Sequence, residues 1–335
     1  MSFIKKLKYL VSTSWATACK TPYSGWDRFW VFVDVFYCKR RYFVSDIEYL
    51  DFKFWQFKDR YRKNFLLRYH QIHKFKKINE PAVTLWKYNF YQMIPDCYAR
   101  EMILAPGCGE DAFVEFAKKH GKIVTKPDTG SCGRDICFFT YTDDETAREH
   151  FRSFTEDMAC EELIIQHDKL QELSPSAVNT IRVVSFLDED GVSIISATLR
   201  TGNQDDKPVD NLKKDGIGAQ VDIETGIVST CGFDYNGGRF VTHPHSGVQF
   251  LGFNIPHWDQ VVAVVKKAHS RLPQCKLFGW DIAITQNGVD IIEANSRPGT
   301  PIMQMVDLIP KGEKVIRAIK EAEKKQKKQK VKAKK

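Results

Sequence analysis

FGWDIAITQNGVDIIEANSRPG, residues 278–299, sets two apolar runs on either side of a turn and places its acidic residues inside those runs. Runs of this length bounded by a turn predict a β-hairpin. The loop then decides which side chains share a face. A three-residue loop of Gln286, Asn287 and Gly288 pairs Thr285 with Val289, puts Asp281 opposite Glu293, and leaves Asn295 two residues further on the same face. A two-residue Asn-Gly loop would turn the two carboxylates to opposite faces. The three-residue register is the one expected. Two carboxylates about 5 Å apart on a half-buried face repel each other, and burying them is costly unless a cation lies between. A donor set made only of oxygens favours magnesium or manganese over zinc.

Upstream, KIVTKPDTGSCGRDI (residues 122–136) ends a short β-branched run on Lys126 and follows it with a loop containing Gly130, Ser131 and Gly133. Such a loop lets backbone N–H groups approach phosphate oxygens, and a fixed lysine adds positive charge beside them. An ordinary glycine turn with a nearby lysine has the same composition, so this segment gains its meaning from the hairpin. A lysine of this kind is expected in an open cleft, where it supports little packing.

The rest of the chain is organised around these two segments. Residues 1–78 are rich in aromatic and basic side chains with helical spacing, as in WDRFWVFVDVFYCKRRY and FKFWQFKDRYRKNFLLRYH, and predict a helical N-terminal unit. From about Asn79 the texture changes to short strands (KIVTKP, ELIIQH, TIRVVSFL, VSIISATLR, VDIIEAN) with two amphipathic helices, EDAFVEFAKKH and HWDQVVAVVKKAHSRL. Several adjacent strands without strict βαβ alternation indicate an α+β class. A last helix from about Gly312 is expected to fade into a lysine-rich tail over residues 323–335 that is too polar to bury and is read as disordered.

That tail accounts for the charge. The chain of 335 residues has a formal net charge of +8, and its last twelve residues, KKQKKQKVKAKK, carry eight lysines and no acid. The remainder is neutral, which argues against a nucleic-acid partner and leaves an acidic surface as the tail's alternative. Nine cysteines without a C-x-x-C pair argue against a disulfide framework or a zinc cage and suit a reducing cytoplasm. No run reaches the roughly 18 apolar residues that span a bilayer. The first twenty residues, with lysines and spaced Phe3, Ile4, Leu7, Leu10 and Trp15, fit either a packed helix or one lying on the inner membrane surface. His243 and His245 in THPHSG have no third ligand nearby and read as a turn or substrate edge. No G-x-S-x-G elbow is present, which counts against a protein nucleophile.

In order and spacing these motifs resemble the ATP-grasp superfamily, which includes D-alanyl-D-alanine ligases and glutathione synthetase. SPSAVNTIRVVSF, VDN after LRTG, HPHSG…GFNIPHW and SDIEYL…RYRKNF…INEP resemble more narrowly the sugar-transfer-associated ATP-grasp family, over about residues 40 to 310. The resemblance implies two α+β subdomains closing on ATP between their sheets, with the domain at residues 79–322. It implies ATP and Mg2+ (or Mn2+) as cofactors, with Lys87 and Lys126 on phosphate, Asp128 to Arg134 as a lid, and Ile164, Ile165 and Gln166 as the hinge against adenine. Many relatives have glutamate where this chain has Gln166. Asp281, Glu293 and Asn295 would ligate the metal, Arg182 and Arg200 would stabilise an acyl-phosphate, and Asp210, Asn211 and Arg297 would line the acceptor pocket. The implied reaction joins a carboxylate to an amine on a small-molecule or sugar-linked substrate in surface polysaccharide synthesis. A sugar or polyol kinase and a non-catalytic nucleotide-binding module stay open.

Overall fold

The computed structural model describes residues 3–42, 49–50, 55, 72–80, 86–129, 135–175, 177–203, 216–234, 238–300, 302–307 and 309–332. In chain order the strands are β1 (Met102–Ala105), β2 (Lys122–Pro127), β3 (Cys137–Thr140), β4 (Met158–Glu162), β5 (Thr180–Asp188), β6 (Gly191–Thr201), β7 (Ile217–Val221), β8 (Gly232–Phe233), β9 (Arg239–Phe240), β10 (Leu277–Thr285) and β11 (Gly288–Asn295). The longer helices are α1 (Phe3–Cys19), α2 (Gly25–Tyr42), α3 (Lys87–Met93), α4 (Glu110–His120), α5 (Asp144–Arg152), α6 (Trp258–Ser270) and α7 (Glu313–Lys332). The strands form a four-stranded sheet, β1-β4-β2-β3, and a seven-stranded sheet, β11-β10-β5-β6-β7-β8-β9. Among the described residues every strand pair is antiparallel, in keeping with the α+β expectation.

The smaller sheet is covered by α4 and α5. On α4, Phe113, Val114, Phe116 and Ala117 fall at helical spacing and meet Ile123, Phe139 and Cys160 in one core. Acidic side chains in its first turn and basic ones in its last complement the helix dipole. Asp143 starts α5 by accepting the Thr146 N–H at 2.9 Å.

The larger sheet uses its two faces differently. Trp280, Ile282, Val183, Ile181 and Leu199 point into the main core under α6. On the other face Val184, Phe186 and Leu277 pack beneath Phe75, Val315 and Ile319. Further along the same strands, on that second face, stand Arg182, two residues from Val184, and Asp281, four residues from Leu277. Asn79 pins the neighbouring turn in place. Its amide donates to the carbonyls of Leu277 (2.7 Å) and Ser296, and its oxygen accepts the N–H groups of Lys276 (2.9 Å) and Leu277 (3.0 Å).

Two expectations change. ELIIQH is not a strand: the strand is Met158–Glu162, and Leu163 to Ile165 cross from the small sheet to the large one, where Gln166 bridges to Thr285. The crossing is apolar enough to imitate a strand. The lysine-rich stretch read as disordered from residue 323 continues α7 as far as Lys332. Ala, Glu, Gln and Lys are strong helix formers, and no Gly or Pro interrupts them. The SDIEYL and RYRKNF patterns fall largely or wholly outside the described residues.

Candidate nucleotide and metal site

Asp281 lies opposite Glu293, and Gly279 opposite Asn295, so the three oxygen-bearing side chains share one face of the hairpin. The route to this register differs from the expected one. Thr285 pairs with Gly288, which makes Gln286–Asn287 a two-residue loop and would by itself set Asp281 against Ile292. A β-bulge then adds one residue, Ile292, to β11 between the Ile282↔Ile291 and Asp281↔Glu293 pairs and returns Glu293 to the right face.

Arg182 and Arg200 converge on the same carboxylate. Arg182 grips Asp281 with two nitrogens, Nε and Nη2, the latter at 2.8 Å, and Arg200 Nη2 lies 3.1 Å from Asp281 Oδ2. Burial alone would raise the Asp281 carboxyl, but the two guanidiniums override it and hold the group at about 2. Glu293 goes the other way. Its partial burial and then the neighbouring Asp281 charge push it up, against Arg182 and the Asn295 amide, which donates to Oε1 at 3.1 Å. Asp281 is held ionised by two guanidiniums beside Glu293, and with the Asn295 amide oxygen the hairpin presents a donor set of oxygens alone, which fits a hard divalent ion. Among the described residues no group of three or more His, Cys, Asp or Glu side chains gathers as a metal cage.

The smaller sheet supplies Lys126, and α3 supplies Lys87. Lys126 is buried, not open to a cleft, and its Nζ lies 2.6 Å from Glu161 Oε1. Lys126 pairs with Ala159 and Val124 with Glu161, so the two charged side chains are diagonal neighbours on one face. Lys87, in the first turn of α3, donates from Nζ to the carbonyls of Pro127 (2.7 Å) and Asp128 (3.1 Å). Burial and then the Lys126 charge lower its ammonium, while Glu293, Asp128 and Glu161 raise it. Lys87 therefore feels both the small sheet and the metal hairpin.

The other expected residues divide. Ile165 is exposed on the crossing. The Gln166 amide is engaged within the fold: it donates to the carbonyls of Ala177 (2.9 Å) and Ser174 (3.3 Å) and accepts from the N–H and amide of Asn179 (both 3.0 Å). Arg297 is exposed just past β11. Gly130, Ser131, Gly133 and Asn211 lie outside the described residues, as does Asp210. His243 is buried, and its Nε2–H donates to the Gly202 carbonyl at 2.7 Å, a structural turn at the end of the LRTG segment.

Three residues escaped the sequence reading. Arg100 donates to Glu161 (3.1 Å) on the small sheet and to Asp290 (2.7 Å) and the Ile291 carbonyl (2.6 Å) on the large one, and all three charged groups are buried. Asp290 inside an apolar strand signals a buried cation nearby, since an unpaired charge there would be very costly. Which cation is a tertiary fact. Gly279 is the third: a Cβ there would stand 2.7 Å from Pro298 Cβ, so only glycine lets the S-R-P-G turn fold back over β10 beside Arg182.

The sequence profile of the sugar-transfer associated ATP-grasp family matches residues 107–315. No curated protein matches the chain. Among solved structures it is similar to the ATP-grasp ligase PsnB complexed with its minimal precursor, with 13% identity over 72% of this chain and 61% of that one at a TM-score of 0.45. It is also similar to D-alanyl-alanine synthetase A from Vibrio cholerae, with 12% identity over 72% and 65% at 0.44. N5-carboxyaminoimidazole synthase from Aspergillus clavatus, in complex with ADP and 5-aminoimidazole ribonucleotide, gives 9% over 66% and 46% at 0.41. The chain spans less than two thirds of each of these proteins.

Proposed function

We propose that this chain, which belongs to the sugar-transfer associated ATP-grasp family, is an ATP-dependent ligase that activates a carboxylate and joins it to an amine. One observation carries the reading: Lys87, at the start of α3, lies within electrostatic reach both of Lys126 on the small sheet and of Glu293 on the Asp281–Glu293–Asn295 hairpin of the large one. A triphosphate needs cations on one side and a divalent ion held by oxygen donors on the other, and both sets of groups are here.

In this reading Lys87 and Lys126 hold phosphate oxygens, and Ile165 offers an apolar surface to the base. Asp281, Glu293 and Asn295 hold magnesium or manganese, which when bound neutralises phosphate charge during transfer. A substrate carboxylate oxygen attacks the γ-phosphorus, the bond to the β-phosphate oxygen breaks, and ADP leaves. Arg182 and Arg200, held beside the carboxylate pair, offset the charge on the resulting acyl-phosphate. The amine nitrogen then attacks the acyl carbon, releasing phosphate and a proton and leaving an amide. The family's association with sugar transfer supports a carboxylate or amine on a surface-polysaccharide or sugar-conjugate precursor as one substrate.

The test is purified protein with Mg-ATP and pooled uronic acids and amino acids, followed by mass spectrometry. ADP with a new amide is the expected product pair. ADP with a sugar phosphate would replace the ligase by a phosphotransferase.

A further inference from the structure

The helices α1 and α2 form a hairpin that wears its large apolar side chains outward. More than half of the exposed large hydrophobics among the described residues fall within residues 3–37. Inside the hairpin are Ala18, Ser14, Thr17, Val31, Val35, Cys38 and Tyr49, mostly small side chains. This inverts the usual sorting, in which large apolar groups go in.

The outward groups are ordered. On α1, Ile4, Leu7, Val11 and Trp15 recur at helical spacing, and on α2 so do Trp26, Phe29, Trp30, Val33 and Tyr37. Trp26 is 77% exposed and Trp30 64%. The α2 stripe lies opposite the face that carries Val31, Val35 and Cys38. Touching rings join the stripes: Trp15 meets Phe32 at 5.6 Å, Phe32 meets Phe29 at 6.1 Å, and Phe29 meets both Trp26 and Trp30 at 5.7 Å. The result is one continuous aromatic ridge.

Charge says what the ridge meets. Residues 3–42 hold Lys5, Lys6, Lys8, Lys20, Arg28, Lys39, Arg40 and Arg41 against only Asp27 and Asp34, and Asp34 is buried with the Tyr49 hydroxyl donating to it at 2.5 Å. The two helices run as a hairpin, which sets the start of α1, with Lys5, Lys6 and Lys8, beside the end of α2, with Lys39 and Arg40, and Lys39 reaches back to Thr13 of α1 at 2.9 Å. Tryptophan and tyrosine flanked by lysine suit the boundary between lipid headgroups and acyl chains. Neither helix is long and apolar enough to cross a membrane. We propose that the α1–α2 hairpin lies in the surface of an anionic lipid bilayer, with the Trp15–Trp26–Phe29–Trp30 ridge in the headgroup–acyl boundary and the cations on the lipid phosphates. The proposal does not rest on the ligase reading.

The test uses the full chain with vesicles of phosphatidylglycerol and phosphatidylcholine in equal parts, against vesicles of phosphatidylcholine alone. Co-sedimentation with the anionic vesicles is expected, together with a shift of tryptophan emission to shorter wavelength and its quenching by brominated acyl chains. Combined Trp26→Ser, Phe29→Ser and Trp30→Ser should weaken partitioning about tenfold or more while leaving the melting temperature and the response to Mg-ATP intact. Trp30→Ala alone gives a milder variant if the triple one does not fold. Combined Lys5→Gln, Lys6→Gln and Lys8→Gln should lose binding to the anionic vesicles at low salt. Absence of partitioning by the intact chain, or equal partitioning by the ring variants, overturns the proposal. So does a dimer in sedimentation equilibrium that the ring variants dissolve, because the ridge would then face a second copy of this chain.

Discussion

Single side chains in this protein carry more than one duty, and Lys126 shows the consequence. It stands where a nucleotide's phosphates are expected, yet it is buried against Glu161, which Arg100 also holds. Lys126→Met should abolish the rise in melting temperature that Mg-ATP gives and also cost about 1–3 kcal/mol of stability, because Glu161 loses one of two counter-charges. Melting curves with and without Mg-ATP separate the two effects. An unchanged nucleotide response would leave the lysine a purely structural role. His269 is buried in a chain of defined polarity: its Nε2–H donates to the Cys275 carbonyl (3.0 Å), so Nδ1 accepts from the Ser185 hydroxyl (2.6 Å), whose oxygen accepts the Trp280 N–H (2.7 Å). Burial lowers the imidazole from 6.5 to about 4 against the opposing Cys275 bond. The unfolded chain then binds this proton more readily than the folded one, so stability should fall by about 3 kcal/mol as pH drops from 6.5 through about 4. Urea denaturation across that window checks it, and His269→Asn should flatten that part of the pH dependence.

At the scale of elements, the β10–β11 hairpin brings the site together through three local devices: a two-residue loop, a bulge at Ile292, and the bare face of Gly279. The last is testable without touching a charged group. Gly279→Ala places a methyl 2.7 Å from Pro298 Cβ and 3.6 Å from the Arg182 stem, so the S-R-P-G turn must move. A loss of about 1–3 kcal/mol is expected, with a larger fall in ligase turnover than in stability, since Arg182 shifts with the turn. Unchanged turnover in a variant of native stability would show that the turn has no part in setting the site.

At the scale of the molecule, two sheets are joined by Arg100, which spans Glu161 and Asp290, and by the crossing that ends in the Gln166–Thr285 bridge and the His167 N–H to Ile284 carbonyl bond of 2.8 Å. The helix α7 closes the second face of the large sheet only along its first part. Val315, Ala318 and Ile319 are buried, Glu323 still reaches Lys77 at 2.9 Å, and residues 324–329 are exposed. Deleting the chain from Lys324 onward should change stability by no more than about 0.5 kcal/mol, as read by urea denaturation, and leave turnover on soluble substrates intact. A loss well above about 1 kcal/mol would mean that the lysine turns dock on the domain.

Local pattern alone was enough for several elements, and for a physical reason: β2, α4, β5, β6, β11 and α6 carry their own period of apolar residues, and a period is a property of neighbours along the chain. The same locality put Asp281, Glu293 and Asn295 on one face from a spacing of twelve residues. It erred on the way there, because a loop that is too short and a bulge that is one residue long cancel in the count and leave the same parity. What the chain could not say in advance is which distant charges meet. Arg182 and Arg200 clasping Asp281, Lys126 against Glu161, and Arg100 between two sheets are long-range pairings. The amide of Gln166 is spent on Asn179 and the Ala177 carbonyl for the same kind of reason. A buried polar group must find a partner, and the fold, not the neighbouring sequence, decides which one is within reach.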